Sequence, residues 1–214
     1  IDLNDLWEYS TNTSQWTWVS GGNVGGAKGT YGTPGTASST NVPGAREFGS
    51  CWIDASGNLW LFGGYGNDTN KNRGRLEDMW EFSPSSKQWT WVSGSNQANT
   101  SGTYGTQGTP AASNTPGARN GGATWIDTSG NLWLFGGDGY DSSGTLGELN
   151  DLWEFSPTTK QWTWVAGSNK VNASGVYGTE GTPATANIPG SRDSAISITD
   201  KSGNFWLFGG FAGS

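Results

Sequence analysis

The sequence contains no histidine and a single cysteine, Cys51, among its 214 residues. Histidine is the commonest general base and metal ligand in proteins, so its absence excludes serine–histidine catalysis, zinc sites and histidine-bound copper. One cysteine cannot form an intrachain disulfide or a site with several thiolates. We therefore expect neither a metal nor a cofactor.

Basic residues and long apolar runs are also scarce. The chain has 11 Lys and Arg against 18 Asp and Glu, a net charge of -7, so it lacks the basic stripe that nucleic-acid binding needs. No apolar run approaches the roughly 18 residues of a membrane span. The chain starts at Ile1 without an initiator Met or a signal-like region, and we expect a mature, processed or trimmed piece.

Aliphatic residues are few, but aromatic residues and glycine are abundant. Low aliphatic content with a net charge usually indicates disorder. The chain nevertheless has 14 Trp, 6 Tyr and 36 Gly. Disordered chains are poor in aromatic residues because they have no core. The composition therefore predicts a globular, turn-rich protein.

An internal repeat of 73 residues fills the chain. The motif that begins at Leu3 recurs at Leu76 and Leu149. A glycine-bounded segment at 57–64 returns at 130–137 unchanged, and at 203–210 with Phe205 in place of Leu. A Pro-Gly-x-Arg motif keeps the same spacing and ends at Arg46, Arg119 and Arg192. Three copies of one unit account for nearly the whole chain.

Each copy is predicted to contain four strands. In the second copy these are 121–126, 131–135, 149–155 and 161–165, and a loop of about a dozen residues separates the second from the third. No stretch shows a convincing helical period. Four antiparallel strands per repeat are typical of a β-propeller blade.

The repeat resembles the kelch repeat of bacterial proteins similar to the central domain of galactose oxidase. Its marks are a glycine doublet after the second strand and an aromatic pair, with six residues between, on the third and fourth. The doublets are Gly63-Gly64, Gly136-Gly137 and Gly209-Gly210; the pairs are Tyr9 and Trp16, Phe82 and Trp89, Phe155 and Trp162. The resemblance implies an all-β, kelch-type propeller. It implies little about function, because such propellers include oxidases, epimerases and pure binding modules.

The strand count predicts one propeller unit over 1–214 with one blade split between the termini. The predicted boundaries are half blades 1–19 and 189–211, full blades 43–92 and 116–165, and long loops 20–42, 93–115 and 166–188. Three blades are fewer than the four to eight of closed propellers. Two chains could close a six-bladed ring, the chain could be a segment of a longer protein, or another oligomer, such as three chains with nine blades, could form.

The three repeated arginines, Arg46, Arg119 and Arg192, open the innermost strands, where the resemblance implies a ligand pocket. Guanidinium groups suit carboxylates and carbonyls. The alternative is structural, with each arginine holding backbone carbonyls or a neighbouring blade's acid, such as Asp78 or Asp151. The residue that follows each arginine differs between the three copies, and such positions could determine ligand specificity. These residues are Glu47, Asn120 and Asp193.

The aromatic residues raise a carbohydrate-binding alternative. Most Trp residues recur at fixed positions, which favours packing between blades over sugar stacking. Tyr65 and Tyr140, placed in variable loops after the glycine doublets, are better candidates for exposed stacking. The long loops define one face, which we predict to be the functional face.

Other chemistry is poorly supported. Asp138, Asp141 and Glu148 could offer oxygen ligands to Ca²⁺, but the preceding copy places Lys71, Arg73 and Arg75 in the same loop. The oxidase chemistry that the resemblance suggests needs histidine-held copper. An epimerase would need an acid–base pair, for which only Glu47 and Asp193 are placed.

The sequence thus predicts a non-catalytic binding, interaction or assembly module rather than an enzyme. The acidic composition and abundant Thr, Ser, Asn and Gly favour a secreted or cell-surface location. Expected partners are copies of itself or further blades, with a protein or glycan ligand possible. A carbohydrate-binding or glycan-active protein that uses the long-loop face is the alternative.

Overall fold

The computed structural model describes residues 1–213, and all of their regular secondary structure is β. These residues form no helix, and so no helix long and apolar enough to cross a membrane. The strands are β1 Leu6–Ser10, β2 Gln15–Ser20, β3 Arg46–Glu47, β4 Ser50–Ile53, β5 Leu59–Asn67, β6 Arg73–Ser83, β7 Gln88–Ser93, β8 Arg119–Asn120, β9 Ala123–Ile126, β10 Leu132–Tyr140, β11 Leu146–Ser156, β12 Gln161–Ala166, β13 Ile196–Thr199 and β14 Phe205–Phe208.

The chain divides into two compact units. The first, Ile1–Ala98, contains the hairpin β1–β2 and a larger sheet built from β3 to β7. The second starts at Asn99 and contains a larger sheet built from β8 to β12 and the hairpin β13–β14. Each unit therefore carries one complete sheet and one two-stranded sheet.

The two larger sheets have the predicted order of four antiparallel strands. Strand β5 pairs with β6 and β6 with β7, while β10 pairs with β11 and β11 with β12. The innermost position is shared by two short pieces in each sheet, β3 with β4 and β8 with β9. Gly121, with φ of 68°, lies between the latter two, so the predicted strand 121–126 begins only at Ala123 and a short separate piece, Arg119–Asn120, precedes it.

The second and third strands are longer than predicted, and the loop between them is shorter. Strand β10 continues through Gly136-Gly137 to Tyr140, so only residues 141–145 separate it from β11. The ladder shifts register between Phe135 and Gly137, and Gly137 has φ of 103°, in the left-handed region that glycine tolerates. This bulge lets the pairing continue past the doublet. The placing of Tyr65 and Tyr140 in loops was therefore wrong, since they lie in β5 and β10.

Rings form the core of each larger sheet. Trp80 and Trp153 are fully buried, and the predicted aromatic pairs pack across the ladder, with Phe82 and Trp89 ring centroids 5.0 Å apart. A chain poor in aliphatic residues thus builds its core from indole and phenyl groups.

The first two long loops are ordered and cross the larger sheets. In loop 20–42, Ser38 forms a bridge with Trp89, and the Asn41 side chain donates to the Trp89 carbonyl at 3.0 Å. Ala111 and Asn114 make the same contacts with Trp162. These contacts show that the first two long loops pack against the outermost strands of the larger sheets.

Candidate functional site

In the first unit, three polar side chains meet inside the larger sheet. Arg46, at the start of β3, donates to both carboxylate oxygens of Asp78 in β6, at 2.6 and 2.7 Å. It also donates to the carbonyls of Gly44 and Gly63. Tyr31, from the long loop, donates its hydroxyl to Asp78 at 2.7 Å. We call this set the Arg–Asp–Tyr triad.

The second unit repeats the triad 73 residues later. Arg119 donates to both oxygens of Asp151 at 2.7 and 2.8 Å, and Tyr104 donates to the same carboxylate at 2.6 Å. Arg119 and Asp151 are both buried. A bidentate pair of this kind holds two side chains in one orientation. The triad therefore fixes the long loop onto the inner strands of each larger sheet.

Burial and charge shape the electrostatics of the triad. Burial, followed by the nearby Asp78 carboxylate, raises the pKa of Tyr31 far above its ordinary value, and Tyr104 behaves in the same way beside Asp151. Burial is the largest single influence on Arg46 and would lower its pKa, but the charge of Asp78, its hydrogen bond and the nearby Tyr31 together outweigh burial, so the pKa is raised. The tyrosines therefore remain hydrogen-bond donors and the arginines remain charged.

These contacts match the structural alternative for Arg46 and Arg119, with one difference. The acid that each arginine pairs with lies in its own sheet, not in a neighbouring one. The role of Tyr31 and Tyr104 in this arrangement was not predicted. Recurrence of Arg, Asp and Tyr at the same offset of 73 was the available signal.

The third copy of the triad is not assembled. Arg192 donates to the carbonyls of Gly190 and Gly209 but pairs with no carboxylate among residues 1–213. Tyr177, the counterpart of Tyr31, is 78% exposed, against 4% for Tyr31. The acid at the corresponding repeat position is Asp5, which precedes β1 and accepts a hydrogen bond from Trp7.

A cavity lies beside the incomplete triad in the second unit. Its volume is about 330 Å³, and Tyr177, Asn187, Arg192 and Leu207 are among the residues that line it. In the first unit the counterpart of Tyr177, Tyr31, packs against Trp80 and Trp91 with ring centroids 4.9 and 5.1 Å apart. Indole rings of the outer strands therefore cover the position that corresponds to this cavity.

The hairpin β1–β2 exposes the rings that the larger sheets bury. Trp7 and Trp16 are 48% and 66% exposed, whereas their counterparts Trp80 and Trp89 are buried. The hairpin is itself well formed, since Tyr9 and Trp16 lie opposite each other with ring centroids 5.1 Å apart. Among the described residues, 1–213, β1 pairs only with β2.

The hairpin β13–β14 also exposes rings whose counterparts in a larger sheet are buried. Trp206 and Phe208 are 62% and 76% exposed, while their counterparts Trp60 and Phe62 in β5 are buried. Within residues 1–213, β14 pairs only with β13, whereas β5 pairs with β6. The exposed faces of the two hairpins are the candidate functional surfaces.

The predicted specificity residue Glu47 and the predicted stacking residue Tyr65 both contact Arg73 in the first unit. Arg73 donates to Glu47 at 3.2 Å and also to Asp2 at 3.0 Å. The Arg73 guanidinium lies over the Tyr65 ring, 4.8 Å from its centroid. The predicted stacking face of Tyr65 is therefore in contact with a cation.

The other predicted site residues lie in the second unit. Asn120 is opposite Asp138 in the ladder of β8 and β10, and Tyr140 ends β10. Asp193 forms a bridge with Phe211. Asp141 accepts the backbone N–H groups of Ser143 and Thr145. Residues 1–213 contain no group of three or more acidic or thiol side chains placed to hold a metal.

Comparisons with known proteins support the fold. No family model and no curated protein matches the sequence. Among solved structures, the chain is similar to one titled "Structure of YjhT", a kelch-type, β-propeller-like protein, with a TM-score of 0.53 and 15% identity. The likeness covers 95% of this chain and 49% of that one, so this chain spans about half its length. The chain has a β-propeller-like, all-β fold.

Proposed function

We propose that this chain is a non-catalytic assembly module of the kelch type, in which two copies close one six-bladed propeller. Each copy supplies two complete blades and two half blades. The observation that carries the proposal is the exposure of the hairpin residues Trp7, Trp16 and Phe208, whose counterparts at the same repeat positions are buried in both larger sheets.

Burial of these rings is the driving force. Fully burying one large apolar side chain stabilises an assembly by about 1.5–3 kcal/mol, and Trp16, Trp206 and Phe208 are all exposed. Within residues 1–213, β1 pairs only with β2 and β14 only with β13, so each strand has one unpaired edge. The backbone groups of an unpaired edge can form hydrogen bonds with another strand. Closure of a ring removes both edges.

The length of the solved neighbour is consistent with two copies. This chain spans 49% of that β-propeller-like chain, so two copies have about the same length as that chain. A twofold assembly is the commonest symmetric arrangement of identical chains. Two copies would supply six blades, which is within the usual range of closed propellers.

The module is proposed to act by binding, outside the cytoplasm. A sequence without histidine lacks the commonest acid–base residue. The acidic composition, with abundant Gly, Thr, Ser and Asn and one cysteine, supports secretion or surface display. A closed ring would present the long loops on one face, where a protein or glycan ligand could bind.

Light scattering on the purified chain tests this proposal. We expect a mass of two chains, twice 22.5 kDa. Replacing Trp16 by Ser should weaken the association by about tenfold or more, because Trp16 is one of the rings to be buried. Val24→Ser is the matched control, since Val24 is equally exposed but lies in a loop. A folded monomer with quencher-accessible Trp residues would contradict the proposal.

A further inference from the structure

We infer that the third Arg–Asp–Tyr triad forms between two copies of this chain, with Arg192 and Tyr177 of one copy holding Asp5 of the other. The inference rests on the proposed function and names the contacts that would join the copies. Its basis is the geometry of the two assembled triads and the repeat position of each unassembled member.

All three members of the incomplete triad are available. Arg192 already donates to Gly190 and Gly209, as Arg46 does to Gly44 and Gly63, so its guanidinium is held in the same way. Within residues 1–213 it has no carboxylate partner. Asp5 accepts from Trp7 at 2.7 Å, as Asp78 accepts from Trp80.

The cavity beside Arg192 lies at Tyr177, where the repeat predicts that Trp7 and Trp18 of the other copy pack when Asp5 binds. Trp7 and Trp18 are the counterparts of Trp80 and Trp91, the rings that pack on Tyr31. Trp7 and Trp18 are stacked on each other, with ring centroids 6.3 Å apart, and both are about half exposed. In the joined pair, one copy's Trp7 and Trp18 lie against Tyr177 of the other.

The larger sheets also fix the strand register of the junction. Trp60 is opposite Glu81 in β5 and β6, and Trp133 is opposite Glu154 in β10 and β11. At the third position these residues are Trp206 in β14 and Glu8 in β1. Strand β14 of one copy therefore pairs antiparallel with β1 of the other, with Trp206 opposite Glu8.

The loop before β13 gives the junction a further contact. Asn41 and Asn114 each donate to the carbonyl of a Trp in the outermost strand, Trp89 and Trp162, at 3.0 Å. Asn187 is their counterpart and lines the cavity, and within residues 1–213 its side chain donates only to the Thr182 carbonyl. The Trp16 carbonyl of the other copy is its expected acceptor.

Disulfide trapping tests the register in a Cys51→Ser background. One chain carries Glu8→Cys and the other, with a different tag, carries Trp206→Cys; the two are co-expressed and oxidised. Opposite residues on paired strands lie within disulfide reach, so we expect a covalent mixed dimer. The matched control is Thr17→Cys with Trp206→Cys. Thr17 is opposite Glu8 in β2, one strand further away, and should not crosslink.

Charge variants test the triad itself. Arg192→Met and Asp5→Asn should each weaken association about a hundredfold, because each leaves a buried partner unpaired. Arg73→Met is the control, since the Arg73 side chain is half exposed and its removal should change association little. Unchanged association in both triad variants would overturn the inference.

The mass and the crosslink together distinguish the contacts of the junction from the six-bladed ring. A two-chain mass without the mixed crosslink would leave the proposed assembly standing and overturn the junction. A three-chain mass with the crosslink would support the junction and overturn the six-bladed ring. A folded monomer would overturn both.

Discussion

Asp151 is the residue on which the core of the second unit depends most. It receives hydrogen bonds from Arg119, Tyr104 and Trp153, and it is fully buried. Because it joins β11 to β8 and to the long loop, its removal leaves a buried guanidinium without its counter-charge. An unpaired buried charge is among the most destabilising defects in a protein.

Asp151→Asn should destabilise the protein more than Tyr104→Phe does. Asp151→Asn should lower the free energy of unfolding by about 3–5 kcal/mol, since Arg119 loses its charged partner. Tyr104→Phe should lower it by about 1–2 kcal/mol, because Asp151 keeps its bonds from Arg119 and Trp153. Urea denaturation followed by Trp fluorescence measures both. If Tyr104→Phe were the more damaging variant, the hydroxyl rather than the ion pair would hold the sheet.

Contacts within a turn can be predicted from the sequence, whereas contacts between residues far apart in the chain cannot. The turn-capping role of Asp127 follows from a local rule, because the Asp of an Asp-x-Ser-Gly-Asn turn binds the backbone of the turn itself; Asp127 accepts from Ser129 and Asn131. These bonds, together with one from Trp133, outweigh burial and lower the pKa of Asp127. Tyr104 reaches Asp151 across 47 residues, and no local rule reports such a contact.

At the scale of the strands, the glycine doublet controls how far the ladder runs. A Cβ at Gly137 would lie 2.7 Å from the Asn120 carbonyl oxygen, and the residue has φ of 103°. Gly130 also has a positive φ, 85°, but has no atom within 4 Å of an added Cβ. Alanine substitutions at Gly130 and Gly137 therefore distinguish the effect of backbone strain alone from the effect of strain with a steric clash.

Gly137→Ala should therefore destabilise the fold more than Gly130→Ala. The Gly130 variant adds only the strain of a left-handed residue, about 1 kcal/mol. The Gly137 variant must also displace β8 from β10, so we expect a loss of at least about 2–3 kcal/mol. Thermal unfolding by circular dichroism compares them. Equal losses would mean that β8 moves aside freely.

The order of the strands within each larger sheet was predictable, but their ends were not, and the first strand is split into two short pieces. Alternation in segments such as Gln161–Ala166 identified the strands, and their bounds agree to within a residue there. The prediction failed after Gly136-Gly137, where glycine normally indicates a turn. Here the doublet forms a bulge inside a continuing ladder, and the sequence pattern of a bulge resembles that of a strand end.

At the scale of the whole molecule, the like charge of the two copies opposes their association. Each chain carries a net charge of -7, so two copies repel at low ionic strength. The attractive contacts of the proposed junction are mainly aromatic rings and one ion pair that becomes buried. Salt screens the long-range repulsion far more than it screens a buried pair, because the Debye length falls from about 30 Å at 0.01 M to about 10 Å at 0.1 M.

Association should therefore strengthen as salt is added. We expect the dimer dissociation constant to fall several-fold between about 0.01 and 0.2 M NaCl, where screening removes most of the repulsion. Sedimentation equilibrium at a series of chain concentrations measures the constant. Neutralising the exposed Glu180 by Glu180→Gln should reduce the salt dependence, because less repulsion remains to be screened. A dissociation constant that rises with salt would mean that exposed opposite charges, rather than the aromatic faces of the two hairpins, hold the copies together.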